Sequence, residues 1–523
     1  MISAVAWIRK GVAAEKPTKY EMTEEEYARL QAVADAEIGS AKRELKKKSK
    51  LDASILEDPA LKDFNLEDYS SASEAGDSDS EAEENAAGDI NVFSNIKGLS
   101  YYADASEDPY LQQDDGSDEE AEEMRIFNSD NLLLVAKTED DISSLEVCVF
   151  ESESDNLFVH HDFMLPAFPL CVEWMDFSVG RKAASGGAGN YVAVGTFEPR
   201  IEIWDLDTTD NAYPDLVLGS NDRKQLRRMR GKPHAEFHTD AIMGLSWNRL
   251  ARNLLASSSA DTTVKLWDLA AATCVQSYTH HTGKVQAVQW HPSEASVMLT
   301  GAYDRRVAAF DSRAPAAVSW WATDADVESV MWDVHSPSHF YVATESGAVR
   351  YYDVRNVQEG KGSEPVYTLV AHAEAVSAMD QHPHVRGLLV TGSADETVKV
   401  WDLRDGRPSM VVSRNPDVGG VFAARFCPDE PMLLAVAGSG GETRIWDMAT
   451  NPHVRSVFGG AAAAAVQEKP LVGVVDEAEA DADDTREAVL AEMHGGEAVE
   501  TAGQGSGSSG DDDDDEDAAM ESD

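Results

Sequence analysis

The stretch HTDAIMGLSWNRLARNLLASSSADTTVKLWDL, residues 238–269, combines features that recur along the chain. It opens with His238, contains short apolar segments separated by turn residues, and closes with Trp267-Asp268. A hydroxyl, Ser257, and a carboxylate, Asp261, precede the tryptophan. The alternating and β-branched residues predict that each apolar segment is a short strand. The stretch therefore predicts one antiparallel sheet of an all-β protein.

An aromatic residue followed by an acid recurs at nearly constant spacing on both sides of this stretch. The separations are 63, 43, 42, 49 and 45 residues. The pairs are Trp204-Asp205, Trp267-Asp268, Phe310-Asp311, Tyr352-Asp353, Trp401-Asp402 and Trp446-Asp447. A degenerate seventh copy, Phe150-Glu151, lies upstream. A period near 40 to 45 residues is typical of WD-repeat propeller blades, so seven copies predict a seven-bladed β-propeller.

Polar residues keep fixed positions within three of the repeats. In each, a histidine lies 29 residues before the aromatic residue, with a hydroxyl and an aspartate between them. The sets are His238, Ser257, Asp261 and Trp267; His281, Thr300, Asp304 and Phe310; and His372, Thr391, Asp395 and Trp401. Buried polar groups require partners, so we predict a structural hydrogen-bond chain from aspartate through histidine and hydroxyl to indole N–H. Phe310 cannot donate the last bond.

The first blade lacks an inner strand next to its other strands. The segment ISAVAW, residues 2–7, has the pattern of the inner strands IMGLSW (242–247) and VQAVQW (285–290). We predict that residues 1–10 complete the first blade, whose other strands lie at 132–136, 145–150 and 157–161. The propeller proper would then span residues 125–458, and ring closure would protect its strand edges.

The negative charge is concentrated in two flanking segments. The chain carries a net charge of −51; residues 1–124 hold 13 Lys and Arg against 31 Asp and Glu, and residues 459–523 hold 2 against 20. Self-repulsion and scarce aromatic residues predict a disordered acidic insert over 11–124, with a helix near 21–50, and a disordered acidic tail over 459–523. This balance disfavours non-specific duplex binding and favours basic partners.

The sequence contains no catalytic, metal-binding or membrane-spanning motif. Cys148, Cys171, Cys274 and Cys427 are far apart, which predicts free thiols in a reducing compartment. The glycine-rich stretches lack the Lys-Ser/Thr ending of a phosphate loop, and no apolar run reaches the roughly 18 residues of a membrane span. His160 and His161 are adjacent in a strand and should point to opposite faces. We predict a non-enzymatic protein without metal, cofactor, small-molecule substrate or membrane contact.

Several segments are candidates for contacts or modification. A cluster of six basic residues predicts an RNA or nuclear-import contact, and pairing with the acidic tail is the alternative. The six are Arg223, Lys224, Arg227, Arg228, Arg230 and Lys232. The basic run 42–48 is either a nuclear address or a solvated helix face. Acids three residues on make Ser71, Ser78, Ser80 and Ser117 candidate phosphosites, which would deepen the negative charge, or else they belong to an unmodified spacer. The apolar islands 95–102 and 108–111 should dock on a surface.

Longer strings resemble one family. MISAVAWIRKG (1–11), LPAFPLCVEWMDF (165–177), GNYVAVGTFEPRIEIWDLD (189–207) and the opening stretch are similar to the periodic tryptophan protein 1 branch of WD-repeat proteins. The resemblance implies a nuclear, largely nucleolar protein tied to ribosomal RNA production, large-subunit assembly and chromatin. We therefore predict a scaffold in ribosome biogenesis that takes part in ribosomal RNA production and processing and in large-subunit assembly. Its expected partners are ribosomal proteins, assembly factors and histones, with a contact to pre-ribosomal RNA.

Two other functions compete with this one. The first is a chromatin-associated transcription regulator that binds histones through the propeller face. The second is a substrate receptor of a cullin ubiquitin ligase, because the arginines that follow three aromatic-acid pairs resemble an adaptor-docking motif. Those arginines are Arg313, Arg355 and Arg404.

Overall fold

The structure is a computed structural model that describes residues 1–20, 124–152, 154–180, 188–220, 223–356, 364–404 and 406–468. The expected helix at 21–50, the basic run, the four serines, the apolar islands and the acidic tail beyond 468 lie outside the described residues.

The described residues form the predicted seven-bladed β-propeller, in which the inner strands of successive blades contact each other around a closed ring. Blade 1 contains β1 (Ile2–Ile8), β3 (Asn131–Glu139), β4 (Ile142–Glu151) and β5 (Asn156–Leu165). Blade 2 contains β6 (Pro169–Phe177), β7 (Ala188–Thr196), β8 (Ile201–Asp205) and β10 (Leu216–Leu218). Blade 3 contains β11 (Ile242–Trp247), β12 (Leu254–Ser259), β13 (Val264–Asp268) and β14 (Thr273–Tyr278).

The remaining blades follow in chain order. Blade 4 contains β15 (Val285–Trp290), β16 (Val297–Ala302), β17 (Arg306–Asp311) and β18 (Val318–Ala322). Blade 5 contains β19 (Val327–Trp332), β20 (His339–Thr344), β21 (Ala348–Asp353) and β22 (Tyr367–Val370). Blade 6 contains β23 (Val376–Gln381), β24 (Leu388–Ser393), β25 (Val398–Asp402) and β26 (Ser409–Arg414). Blade 7 contains β27 (Val421–Phe426), β28 (Leu433–Gly438) and β29 (Thr443–Asp447).

The N-terminal strand closes the ring. β1 is the inner strand of blade 1 and pairs antiparallel with β3, with Val5 opposite Val135. On its other side β1 contacts β27 and β28 of blade 7, and Trp7 Nε1 donates to the Arg425 carbonyl at 3.0 Å. Because Ile2, Val5 and Trp7 are buried, this strand joins the first blade to the last through both backbone pairing and apolar packing.

The chain stays on the propeller for longer than expected after β1. The Ala14 amide donates to Asp207 Oδ1 at 2.9 Å, and the short strand β2 (Thr18–Lys19) pairs in parallel with β9 (Thr208–Thr209), which follows β8. The inner-strand pattern predicts that the chain leaves the propeller near residue 10. An irregular segment held through backbone groups carries no periodic pattern, and this explains the difference.

The C-terminal end of the propeller also extends past its expected boundary at 458. Helix α2 (Pro452–Glu468), preceded in the chain by the shorter α1 (Arg223–Met229), begins soon after β29. Its Val454, Phe458 and Ala462 are buried against side chains of blades 6 and 7 such as Val385. The acidic charge of residues 459–523 predicts a disordered tail, but one apolar face of α2 packs on the blades, so the helix continues to Glu468.

Glycines set the spacing between two pairs of blades. A Cβ atom at Gly301 in β16 would lie 2.5 Å from Val327 Cγ1 of the next blade. Gly392 in β24 approaches Val421 in the same way. Each glycine lets a β-branched side chain of the following inner strand reach the backbone, so the blades pack without a gap.

Candidate functional site

The predicted polar network of blade 3 is assembled and buried. His238 Nδ1 lies 3.0 Å from Asp261 Oδ2, and His238 Nε2 lies 2.7 Å from Ser257 Oγ, which also accepts the Trp267 indole N–H at 2.8 Å. Burial lowers the pKa of His238. Burial opposes ionisation of Asp261, but hydrogen bonds from His238 and Thr263 outweigh it and lower the pKa of this carboxyl to about 2.

Blades 4 and 6 repeat the arrangement. His281 Nδ1 lies 3.0 Å from Asp304 Oδ2 and His281 Nε2 lies 2.8 Å from Thr300 Oγ1. In blade 4 the hydroxyl receives no indole N–H, because phenylalanine has no donor at position 310. In blade 6 Trp401 Nε1 donates to Thr391 Oγ1 at 2.9 Å.

The blade 6 histidine completes the pattern. His372 lies 3.0 Å from Asp395 and 2.8 Å from Thr391. All three histidines therefore have both ring nitrogens occupied inside a blade, which gives them a structural role rather than an acid-base one.

A threonine and a lysine that the spacing of the histidines does not single out recur in blades 3 and 6. The threonine joins the network, and the lysine binds the loop before the blade. Thr263 and Thr397 donate to their aspartates at 2.7 Å. Lys265 Nζ donates to the His234 carbonyl at 2.5 Å and Lys399 Nζ to the Ala371 carbonyl at 2.6 Å. The repeated string TVK, at 263–265 and 397–399, is the signal that would have identified them.

The prediction for His160 and His161 is wrong in its geometry. A register irregularity in the β4–β5 pairing, opposite Val147 and Cys148, brings the two Nδ1 atoms to 2.7 Å from each other, so the rings converge instead of diverging. Burial lowers the pKa of both rings, to about 4 for His161. In the described ranges, no group of three or more His, Cys, Asp or Glu residues is arranged to hold a metal ion.

The basic segment, residues 223–232, is fixed to blade 3. Arg223, Lys224 and Arg227 belong to α1, and the chain runs on to His238. Thr239 Oγ1 donates to the Lys232 carbonyl at 2.8 Å, and the His234 ring stacks on Phe237 at 3.9 Å.

The basic side chains whose exposure the structure describes face solvent. Arg228 and Lys232 are exposed, and Arg230 is 80% exposed with its Nε 3.8 Å from Asp240. A loosely held cation of this kind is available to an external anion, because a solvated ion pair contributes little. Arg228, Arg230 and Lys232 therefore form an exposed cationic surface that is anchored to blade 3.

The arginines of the three aromatic-acid pairs bind their own aspartates. Arg313 Nη2 lies 2.9 Å from Asp311, and Arg355 Nη2 lies 2.8 Å from Asp353. Arg404 Nη2 lies 2.7 Å from Asp402, and its guanidinium lies 4.8 Å from the Phe458 ring centre. Each arginine thus closes the turn after its strand, and Phe458 of α2 packs against the Arg404 guanidinium.

The cysteines and helices behave as packing elements. Cys148, Cys171, Cys274 and Cys427 are free thiols, and burial raises the pKa of Cys148 to about 12. The thiolate is disfavoured there, so this thiol is a poor nucleophile. Of the helices in the described residues, none is long and apolar enough to cross a membrane.

Seven blades, three of which are held by an Asp-His-hydroxyl network, define a WD-repeat β-propeller. The family model "WD domain, G-beta repeat" matches residues 231–268, 272–311 and 363–402. The chain is 35% identical to Periodic tryptophan protein 1 of Saccharomyces cerevisiae over 88% of this chain and 90% of the relative. It is 33% identical to the Drosophila melanogaster homolog, over 88% and 96%. An uncharacterized WD repeat-containing protein of Schizosaccharomyces pombe is 39% identical, over 88% and 91%. The chain belongs to the periodic tryptophan protein 1 family.

Proposed function

We propose that this protein is a nuclear, largely nucleolar scaffold in ribosome biogenesis, with a part in ribosomal RNA production, RNA processing and large-subunit assembly. Membership of the periodic tryptophan protein 1 family is the main support for this proposal, because resemblance to that family implies a nucleolar protein of ribosome production. The propeller supplies a rigid platform, and its buried histidines are occupied by blade-holding bonds.

The charge distribution indicates how such a scaffold meets its partners. Residues 125–458 hold 29 Lys and Arg against 44 Asp and Glu, so the propeller as a whole attracts basic proteins such as ribosomal proteins and assembly factors. The basic segment differs from the rest of the propeller because its charge is positive. Its exposed Arg228, Arg230 and Lys232 would contact phosphates of pre-ribosomal RNA, since phosphate contacts come from Lys and Arg.

Sedimentation of nuclear extract tests the proposal. We expect the full chain to co-sediment with pre-ribosomal particles and to cross-link to RNA. A variant with Arg228→Ser, Arg230→Ser and Lys232→Ser should lose cross-linking several-fold and show a shallower salt dependence. The matched control replaces three exposed arginines elsewhere, Arg305, Arg313 and Arg355, by serine.

The outcomes separate the interpretations. Free sedimentation of the wild-type chain would overturn the ribosomal role, and recovery with histones instead would favour the chromatin alternative. Equal RNA cross-linking by the triple variant and its control would overturn the assignment of the basic segment alone.

A further inference from the structure

Blade 7 presents an open strand edge. β29 pairs with β28 on one side, and within the described residues no strand lies on its other side. Each of the other six blades has a fourth, outer strand at this position, whereas the chain here turns into α2. Unpaired N–H and C=O groups on an edge strand are a template for another extended segment.

Two grooves run along this edge, one on each side. The groove toward blade 1 has a volume of about 240 Å³ and is lined by Ile2, Phe158, Val159 and Thr443 among others. The groove toward blade 6 has a volume of about 200 Å³, and Trp446 contributes to its wall. Successive side chains of a strand point to opposite faces, so a strand laid on β29 would place alternate side chains in the two grooves.

The lining of the grooves favours apolar and aromatic side chains. Phe158 is 40% and Val159 is 50% exposed on the outer strand of blade 1. The Thr443 hydroxyl is buried and has no hydrogen-bond partner among the described residues. An incoming strand would cover the first two and could supply a partner to the third.

Apart from Asp417, the charged residues that line the grooves have an ionic or aromatic partner. Lys137 Nζ lies 3.5 Å from Glu146, and Arg444 Nη2 lies 2.6 Å from Glu442. The Arg414 guanidinium lies 5.1 Å from the Trp446 ring centre. The edge therefore favours an incoming strand with little charge.

We propose that residues 95–102 of this same chain, NIKGLSYY, pair with β29 as the outer strand of blade 7. This segment carries one charge, Lys97, in an otherwise acidic insert, and its Leu99 and Tyr101 would share one groove. Residues of the insert thereby complete the last blade, as β1 completes the first.

The point where the insert returns supports this occupant. Met124 is the first described residue after the insert, and its carbonyl oxygen lies 3.1 Å from His160 Nε2. His160 is two residues from Phe158, which lines the groove. The residues between 102 and 124 can span up to about 70 Å, so the segment reaches the edge and is held near it at high effective concentration.

Hydrogen exchange of the β29 amides in the full chain tests the proposal. We expect Leu99→Asp with Tyr101→Asp to speed exchange at Thr443–Asp447 by about tenfold or more, while amides of β12 and β24 stay unchanged and show that the propeller is folded. The matched control makes the same changes at Tyr27 and Leu30 in the same insert. Equal β29 exchange in wild type and the Leu99/Tyr101 variant would overturn the proposal.

A change on the groove side gives a second readout. Phe158→Asp should speed β29 exchange although it lies in another blade, whereas Val275→Asp, at an exposed site on β14 of blade 3, should not. Protection that depends on protein concentration would assign the edge to a second copy. Protection lost on deletion of 469–523 instead would assign it to the C-terminal segment. Either result would overturn the proposal.

Discussion

Blade 1 and blade 3 reach the same architecture by different means. Blade 3 is one continuous stretch, β11 to β14, held by the buried chain of Asp261, His238, Ser257 and Trp267. Blade 1 takes its inner strand from the start of the chain and its other three from beyond residue 130, and it packs long apolar strands around Trp7. A blade can thus be fixed by a local polar network or by a remote apolar strand.

The largest effect should come from removing the remote strand. Deletion of residues 1–10 takes Ile2, Val5, Trp7 and Ile8 out of the core. At about 1.5 to 3 kcal/mol for each buried side chain, the loss is comparable to the whole stability of a typical domain. Thermal unfolding should show a collapse of the melting temperature, and deletion of 511–517 is the control. An unchanged melting temperature in the 1–10 deletion would refute the closing role of β1.

A smaller effect should come from breaking the local network. Asp261→Ala leaves the His238 ring and the Thr239 amide without their acceptor in a fully buried site, which should cost about 3 kcal/mol. Asp304→Ala in blade 4 should cost less, because the Asp304 side chain is partly exposed at 7% and its network lacks the indole donor. Urea unfolding measures both, and equal losses would contradict the role of burial.

The smallest effect concerns a turn that blades 3 and 6 share. His382 Nδ1 in blade 6 accepts the amides of His384 and Val385, as Asn248 Oδ1 in blade 3 accepts those of Leu250 and Ala251. Burial lowers the pKa of His382 from 6.5 to about 3. The unfolded chain therefore takes up this proton first, so the stability that neutral His382 contributes is present above pH 6.5 and lost as the pH falls toward 3.

His382→Asn should keep the turn and remove this titration. We expect melting temperatures close to wild type at pH 7.5 and a smaller decrease than wild type between pH 6.5 and 4. Parallel pH dependences of the two proteins would show that His382 does not titrate between the folded and unfolded states as described.

The same difference between blades decides what could be predicted from sequence. The networks at His238, His281 and His372 follow from spacing, because a local hydrogen-bond chain fixes residue types at fixed distances. β1 was recognised since it repeats the inner-strand pattern. The contact between His160 and His161 depends on a strand irregularity, and the packing of Phe458 depends on the shape of two neighbouring blades. Neither leaves a periodic trace in the sequence.

The bond from Trp7 to the Arg425 carbonyl joins residues 418 positions apart. During synthesis, the apolar side chains of β1 leave the ribosome before the other strands of the propeller, but they find this neighbour only after nearly the whole propeller has been made. Pairings of such long range form slowly and leave apolar surface exposed in the meantime. The nascent chain should therefore depend on chaperones until its last blade has emerged.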